Sequence, residues 1–270
     1  MDLSQLYMLE MMRKRRIAAA GGGSTPLTLT ALTARSKVTL NKVGSPPDVS
    51  LQYSTGGAWA TYTIGTEITL ASVGDCIKFR GDNSTFSTTA NDYYRFVMSG
   101  TIAASGNVMS LVDSTCKSLT IPCDFCFRYL FYICASLTTA PALPATTLAT
   151  NCYYGMFYYC TSLTTAPSLP ATTLATGCYR AMFEGCASLT TAPALPATTL
   201  AVYCYYYMFP GCTKLSSIEV SFTSWNQAMY QTERWVDNVT SSGTFTKPAA
   251  LATEYGKSRI PTGWTVVDKE

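Results

Sequence analysis

The chain has 270 residues, of which only 13% are charged, and its net charge at pH 7 is +3. An average soluble domain has about 25% charged residues, so this composition favours a rigid, assembled or surface-displayed protein over a freely diffusing enzyme. The sequence contains no histidine, which removes the commonest general base and the commonest metal ligand. We therefore predict no catalytic residue, no metal site, no cofactor and no enzymatic activity.

The excess of basic over acidic residues comes from one run at 13–16, and without that run the chain is close to neutral. Binding of nucleic acid needs Lys and Arg spread along a surface, so we expect no nucleic-acid partner. A solvated or docking face is the ordinary explanation of such a run. We also expect no membrane insertion, because no stretch of about 18 apolar residues is present. The basic run follows residues 1–12, the reverse of the order in a secretory signal, so we expect no export by that route.

The N-terminal segment has apolar residues at helical spacing, which predicts a helix over residues 3–19 that ends at the glycines 21–23. We assign residues 1–20 to an anchor or oligomerisation helix and residues 21–35 to a flexible linker. A helix this short is not stable alone, so it should dock on a partner or bundle with copies of itself. The candidate anchor residues are Leu3, Leu6, Tyr7, Met11, Arg13, Lys14, Arg15 and Arg16.

Residues 36–112 contain short apolar or alternating stretches separated by turn-forming residues. Examples are the stretches Lys37–Leu40 and Cys76–Phe79 and the turn sequence Gly44–Pro47. This pattern predicts a small all-β sandwich or barrel.

Residues 113–221 are dominated by a repeat with a period of 26 positions, whose three full copies begin at Cys134, Cys160 and Cys186. A truncated copy begins at Cys116 and a degenerate one at Cys212; atypical end copies are usual in stacked repeats. In each copy we predict a short strand with an inward leucine, then prolines that exclude helix, then a short helix such as 152–160. The predicted fold class is mainly β with short helices, built around a leucine-rich-repeat-like solenoid.

Most of the cysteines follow the period of the repeat, which favours buried, reduced thiols that fill one recurring niche. Disulfides between neighbouring turns stay sterically possible. Zinc is disfavoured, because Cys123 and Cys126 are the only close pair and no histidine is available to complete the ligands.

Residues 222–270 form the last predicted unit. Trp225, Met229 and Trp235 suggest a helix over Ser224–Val239, and Gly243–Thr246 and Gly263–Val267 suggest strands. We expect this unit to cover the last coil of the repeats.

The repeat MF-x-x-C-x-S-L-T-T-A-P-x-L-P-A-T-T-L-A-x-x-C-Y, over residues 116–218, resembles the BspA-like leucine-rich repeats of gut bacterial surface proteins and of proteins of their phages. The resemblance implies adhesion or receptor recognition. The N-terminal helix, basic run and glycine tether depart from exported members and resemble a phage virion fibre protein.

The resemblance further implies a protein made in the host cytoplasm and mounted on other virion proteins through its N-terminus. We expect a homo-oligomer, with a trimer favoured, that contacts a host surface glycan or protein. A bacterial cell-surface adhesin is the alternative. A glycan hydrolase is disfavoured, because paired carboxylates are scarce in the repeats.

Candidate binding residues are the positions that differ between copies while the rest of the repeat stays fixed. They are rich in tyrosine, which gives rigid contacts at low entropy cost; unconstrained surface positions are the other explanation. Thr138 and Thr139, with their equivalents, are a second candidate face, although β geometry alone favours threonine there. The candidate ligand-binding residues are Tyr154, Tyr158, Tyr159, Arg180, Glu184, Tyr203, Tyr206 and Tyr207.

Overall fold

A computed structural model describes residues 25–225 and 229–269, and this part of the chain is mainly β. The predicted helix over residues 3–19 and all the candidate anchor residues lie outside the described residues. The strands are β1 Leu27–Ala31, β2 Ser36–Val43, β3 Leu51–Ser54, β4 Ala60–Tyr62, β5 Ile68–Leu70, β6 Cys76–Arg80, β7 Tyr93–Ser99, β8 Ile102–Ser105, β9 Leu137–Thr139, β10 Ser217–Glu219, β11 Thr244–Pro248 and β12 Thr265–Lys269.

Two sheets share the first part of the core. One has six strands in the order β4-β3-β6-β1-β8-β9, and the other has three in the order β5-β2-β7. They contact each other through Phe79 and Phe96, whose ring centroids are 5.3 Å apart, and the Leu40 N–H donates to the Tyr62 hydroxyl at 3.0 Å. Both sheets are open, so the described residues form no closed barrel.

Strand β1 corrects the predicted linker over residues 21–35. It lies between β6 and β8, and Leu27, Leu29 and Ala31 are completely buried. The glycines and the serine and threonine content favoured a flexible linker, but threonine also has high β propensity. Here the threonines alternate with the buried residues at the period of two that a strand requires.

Consecutive repeats lie side by side along a parallel ladder. It begins where β8 pairs with β9, continues through the bridge from Thr139 to Thr165, and resumes between Thr191 and Ser217. It ends in a parallel sheet in which β11 lies between β10 and β12.

The segment 151–160 and its copies form a ribbon of consecutive turns. The Tyr153 N–H donates to the Cys178 carbonyl of the next repeat at 3.0 Å, whereas the Tyr154 N–H donates to the Asn151 carbonyl three residues back at 3.1 Å. Every fourth residue has positive φ, with values of 53° at Asn151, 58° at Gly155 and 54° at Tyr159. Left-handed residues at this spacing are incompatible with an α-helix.

The prediction of a leucine-rich-repeat-like solenoid with short helices is therefore wrong. Among the three full copies only the first contains a strand, β9, and the one helix in the described residues is a 3₁₀ turn at Val108–Leu111. The error has a physical cause: a ribbon that repeats every four residues places apolar side chains at nearly the spacing of an α-helix, which repeats every 3.6.

The interior of the stacked repeats consists of matched columns of side chains. Phe131, Phe157, Phe183 and Phe209 stack in sequence, with centroids separated by 5.5, 5.6 and 5.7 Å. A column of thiols runs beside them: Cys186, for example, donates to the carbonyl of Phe157, 29 residues earlier in the chain, at 3.0 Å. All eleven cysteines are free thiols.

Both ends of the repeats continue into the flanking units. At the start, the Phe96 N–H of β7 donates to the Leu130 carbonyl at 2.8 Å. At the end, residues 229–238 continue the turn ribbon, with positive φ at Tyr230 and Arg234. The helix predicted over Ser224–Val239 is therefore wrong, since its described part consists of turns. One continuous core joins the predicted units.

Candidate binding face

Along each turn ribbon, groups of side chains point alternately into the core and towards the surface. In the first full copy Cys152, Tyr153, Met156 and Phe157 are buried, whereas Tyr159 is 47% exposed. Tyrosine and arginine side chains of successive copies, together with Glu184 and with Tyr93 of β7, thus form one surface, the aromatic face. It comprises Tyr93, Arg128, Tyr129, Tyr132, Tyr154, Tyr158, Tyr159, Arg180, Glu184, Tyr203, Tyr206, Tyr207, Tyr230 and Arg234.

Arg180 is the centre of the largest group on this face. Its guanidinium carbon lies 4.8 Å from the ring centroid of Tyr154, 4.9 Å from that of Tyr206 and 5.8 Å from that of Tyr203. These distances are within the range of cation–π attraction. Tyr206 also contacts Tyr207, with centroids 4.6 Å apart. The structure thus brings together five of the eight candidate residues.

The other three candidates, Tyr158, Tyr159 and Glu184, form an adjacent group. The Tyr158 and Tyr159 ring centroids are 4.7 Å apart. Burial raises the pKa of the Glu184 carboxyl, and a hydrogen bond from Tyr158 opposes that rise. Burial first, and then the negative charge of Glu184, raise the pKa of Tyr158 to about 12. Tyr158 is thus a neutral hydroxyl at pH 7.

We did not predict from the sequence that the aromatic face extends beyond the first full copy, towards the N-terminus. Arg128 is only 8% exposed, and its guanidinium carbon lies 4.3 Å from the Tyr129 centroid, 4.7 Å from that of Tyr154 and 5.8 Å from that of Tyr93. Comparison of the three full copies left out the truncated one that contains Arg128. The period would have found it, since Arg128 occupies the position in its copy that Tyr154, Arg180 and Tyr206 occupy in theirs.

The face also continues beyond the last full copy. Tyr230 stacks on Tyr203 with centroids 5.5 Å apart, and the Arg234 guanidinium carbon lies 5.4 Å from the Tyr207 centroid. Both residues were missed because the segment around them was interpreted as a helix without repeats.

The threonine face has a structural explanation of its own. Thr139 donates to the Ala104 carbonyl at 2.8 Å, and Thr164 donates to the Thr138 carbonyl of the preceding copy at 3.3 Å. These hydroxyls therefore reinforce the contacts of the first full copy with β8 and with the second copy. The aromatic face is the better candidate for ligand binding.

The chemistry of the aromatic face suits binding. Flat rings, fixed guanidinium groups and neutral hydroxyls offer apolar surfaces next to hydrogen-bond donors. Within residues 25–225 and 229–269, no group of three His, Cys, Asp or Glu residues is placed to hold a metal ion. No helix in the same ranges is long and apolar enough to cross a membrane.

The chain matches no family model, no curated protein and no solved structure. The resemblance to BspA-like repeats therefore rests on the repeat residues alone.

Proposed function

We propose that this chain is a non-enzymatic structural and adhesion protein of a phage virion, a fibre or receptor-binding protein whose aromatic face contacts a host surface glycan or protein. The observation that carries the proposal is the position of the variable residues. The interior residues of the copies are nearly identical, and the residues that differ, such as Tyr154, Arg180 and Tyr206, lie together on one outer face.

The rigidity of this face favours recognition. The backbone around each outer residue is tied to its neighbours: the Gly155 N–H donates to the Arg180 carbonyl at 2.8 Å, and the Ala181 N–H donates to the Tyr206 carbonyl at 2.8 Å. A surface ordered before binding loses little conformational entropy when it binds. Tyrosine adds little to that loss, because its side chain has only two rotatable torsions.

The same side chains suit a glycan in particular. The exposed ring of Tyr159 and the neighbouring ring of Tyr158 offer flat apolar surfaces for the C–H face of a sugar. Arg180 and the carboxyl of Glu184 offer a donor and an acceptor for sugar hydroxyls nearby. A host surface protein with exposed aromatic or acidic residues is the other ligand that this chemistry accepts.

The proposal is tested by binding of the full chain to cells of the phage's host and to an array of their surface glycans. We expect Tyr203→Ser with Tyr206→Ser to lower binding at least about tenfold, since aromatic and Arg anchors dominate recognition surfaces. The matched control is Thr172→Ala with Thr173→Ala, two exposed residues outside the aromatic face. Equal binding by all three proteins would overturn the proposed role of this face.

The mounting on a virion has a separate test. Antibodies against the chain should label virions in electron micrographs, and label confined to bacterial cell surfaces would favour the alternative adhesin. Light scattering of the full chain and of a chain that starts at Ser24 tests self-association through residues 1–20. A trimer that becomes a monomer on truncation supports the proposed mounting, and a monomer in both forms contradicts it.

A further inference from the structure

The truncated first copy contains a pair of cysteines that the other copies lack. Cys126 belongs to the periodic series of cysteines, and Cys123 stands three residues before it. At the positions equivalent to Cys123 the full copies have Ala149, Ala175 and Ala201. The recurring interior niche therefore does not require Cys123.

The two thiols have different surroundings. Cys126 is 1% exposed, whereas Cys123 is partly exposed to solvent. The Phe86 N–H donates to Cys123 Sγ at 3.4 Å, and the Ser87 N–H also donates to this sulfur. Cys123 is thus the more accessible of the two residues, and Cys126 lies three positions further along the chain.

The hydrogen bonds around Cys123 stabilise its thiolate. A hydrogen bond from the Cys126 thiol, followed by those from the Phe86 and Ser87 N–H groups, lowers the pKa of Cys123 to about 6, against the opposing effects of burial and Asp124. Burial, chiefly, raises the pKa of Cys126. A partly exposed thiolate that accepts a hydrogen bond from a buried thiol is the arrangement of a redox-active dithiol.

We propose that Cys123 is a nucleophilic redox thiol and that it forms a reversible disulfide with Cys126 by exchange with a small-molecule disulfide such as oxidised glutathione. The Cys123 thiolate attacks one sulfur of that disulfide, a mixed disulfide forms, and one small thiolate leaves. The Cys126 thiol then gives its proton to that thiolate and attacks the Cys123 sulfur, and the second small thiolate leaves. The protein dithiol is oxidised, and the small disulfide is reduced to two thiols.

The other cysteines of the repeats, which are all buried, do not compete for this reaction. Cys160, Cys186 and Cys212 are fully buried, and each donates to a carbonyl oxygen at 3.0 Å. Reaction at these sulfurs would require the stack to open. The proposal is independent of adhesion, because it concerns one turn beside the loop that contains Phe86.

The test is peptide mass spectrometry of the folded full chain after incubation with oxidised glutathione, acid quenching and alkylation. Trypsin releases residues 118–128, which contain Cys123 and Cys126 and no other cysteine. We expect this peptide to have lost two hydrogens and to resist alkylation, because its cysteines are joined in a disulfide. Incubation of the oxidised protein with reduced glutathione should restore both thiols.

Three variants complete the test. Cys126→Ala should stop at a glutathione adduct on Cys123, and Cys123→Ala should give neither product while it folds normally, because the other copies have Ala at that position. Cys76→Ala, which removes another partly exposed thiol, should behave like the parent protein. At pH 7, iodoacetamide should alkylate Cys123 at least about tenfold faster than Cys76.

Two results would overturn the proposal. One is a peptide 118–128 that keeps both thiols in fully oxidised glutathione. The other is alkylation of Cys123 in the parent protein no faster than that of Cys76.

Discussion

The guanidinium carbon of Arg180 lies 4.8 Å from the ring centroid of Tyr154, a residue 26 positions earlier that occupies the same site in the preceding repeat. The contact thus joins two copies, and the spacing of the copies sets its length. Arg180 lies against its equivalents on either side, Tyr154 and Tyr206, so that a substitution at Arg180 changes the surface that its neighbours present.

Removal of the Arg180 side chain should lower the stability of the fold slightly. It should lower the affinity of the aromatic face for its ligand strongly. We expect Arg180→Ala to lower the free energy of unfolding by about 1–2 kcal/mol, because it removes three partly exposed cation–π contacts at once. Urea unfolding measures this change. The matched control is Arg180→Tyr, since Tyr154 and Tyr206 occupy the same position in adjacent copies. A loss above about 3 kcal/mol on Arg180→Ala would mean that the arginine holds the core together.

The left-handed positions of the ribbon should differ in how they tolerate a side chain. A Cβ added at Gly155, where φ is +58°, would lie 2.2 Å from Cε1 of Tyr129. At Gly211, where φ is +73°, the nearest heavy atom would be 3.6 Å away. Substitution by alanine at either position should cost about 1 kcal/mol of stability, because a Cβ is strained in the left-handed conformation. Gly155→Ala must also displace the Tyr129 ring.

We therefore expect Gly155→Ala to be the more destabilising of the two by at least about 1 kcal/mol, by the usual cost of overpacking. Denaturant unfolding of both variants measures the difference. Equal midpoints would show that the Tyr129 ring moves aside freely.

The period of the repeat was enough to predict which side chains face inward. Leu163 and Leu189 are fully buried, because a residue type that recurs at the same position occupies the same niche. The backbone of the ribbon was not predictable in this way. Asn151, Tyr159 and Ala181 adopt positive φ, although only asparagine among them has a local preference for it. Hydrogen bonds to the next repeat impose that conformation, and no local pattern reveals them.

The candidate site was predictable in its centre and not at its ends. Variation among the full copies indicated Arg180 and Tyr206, because the fixed frame makes each difference visible. Tyr93 lies in β7, outside the repeats, and contacts Arg128 only after the sheet and the first copy have joined. A contact between units of different architecture leaves no periodic signal.

The stacked phenylalanines should dominate stability. Phe157 is completely buried and lies 5.5 Å from the Phe131 ring and 5.6 Å from the Phe183 ring. We expect Phe157→Ala to cost about 3–5 kcal/mol and Phe157→Leu less than about 1.5 kcal/mol, because leucine leaves a much smaller cavity.

Chemical denaturation monitored by tyrosine fluorescence and by circular dichroism measures these losses. Val97→Ala is the control, since Val97 is 42% exposed and should change stability by less than about 0.5 kcal/mol. A Phe157→Ala protein as stable as this control would contradict a core built on the ring column.

Glu184 should make stability depend on pH. Burial raises the pKa of its carboxyl in the folded protein above the ordinary value of 4.5, so folding favours the protonated form. Its contribution is fully present below pH 4.5 and is lost as the pH rises through the folded pKa. Glutamine does not ionise, so Glu184→Gln does not lose stability in this way. The free energy of unfolding of the variant minus that of the parent should therefore rise between pH 4 and pH 7.

Tyr158 gives this prediction a second arm. Its hydroxyl hydrogen bond lowers the pKa of Glu184 and partly offsets the effect of burial. In Tyr158→Phe the pKa of Glu184 should therefore be higher than in the parent protein. NMR titration of a labelled glutamate side chain measures this pKa. Glu67→Gln, at an exposed carboxylate paired with Lys37 at 2.7 Å, serves as the matched control, since exposed ion pairs contribute little to stability. If Glu184→Gln and Glu67→Gln gave the same pH dependence, the carboxyl of Glu184 would not be desolvated on the aromatic face.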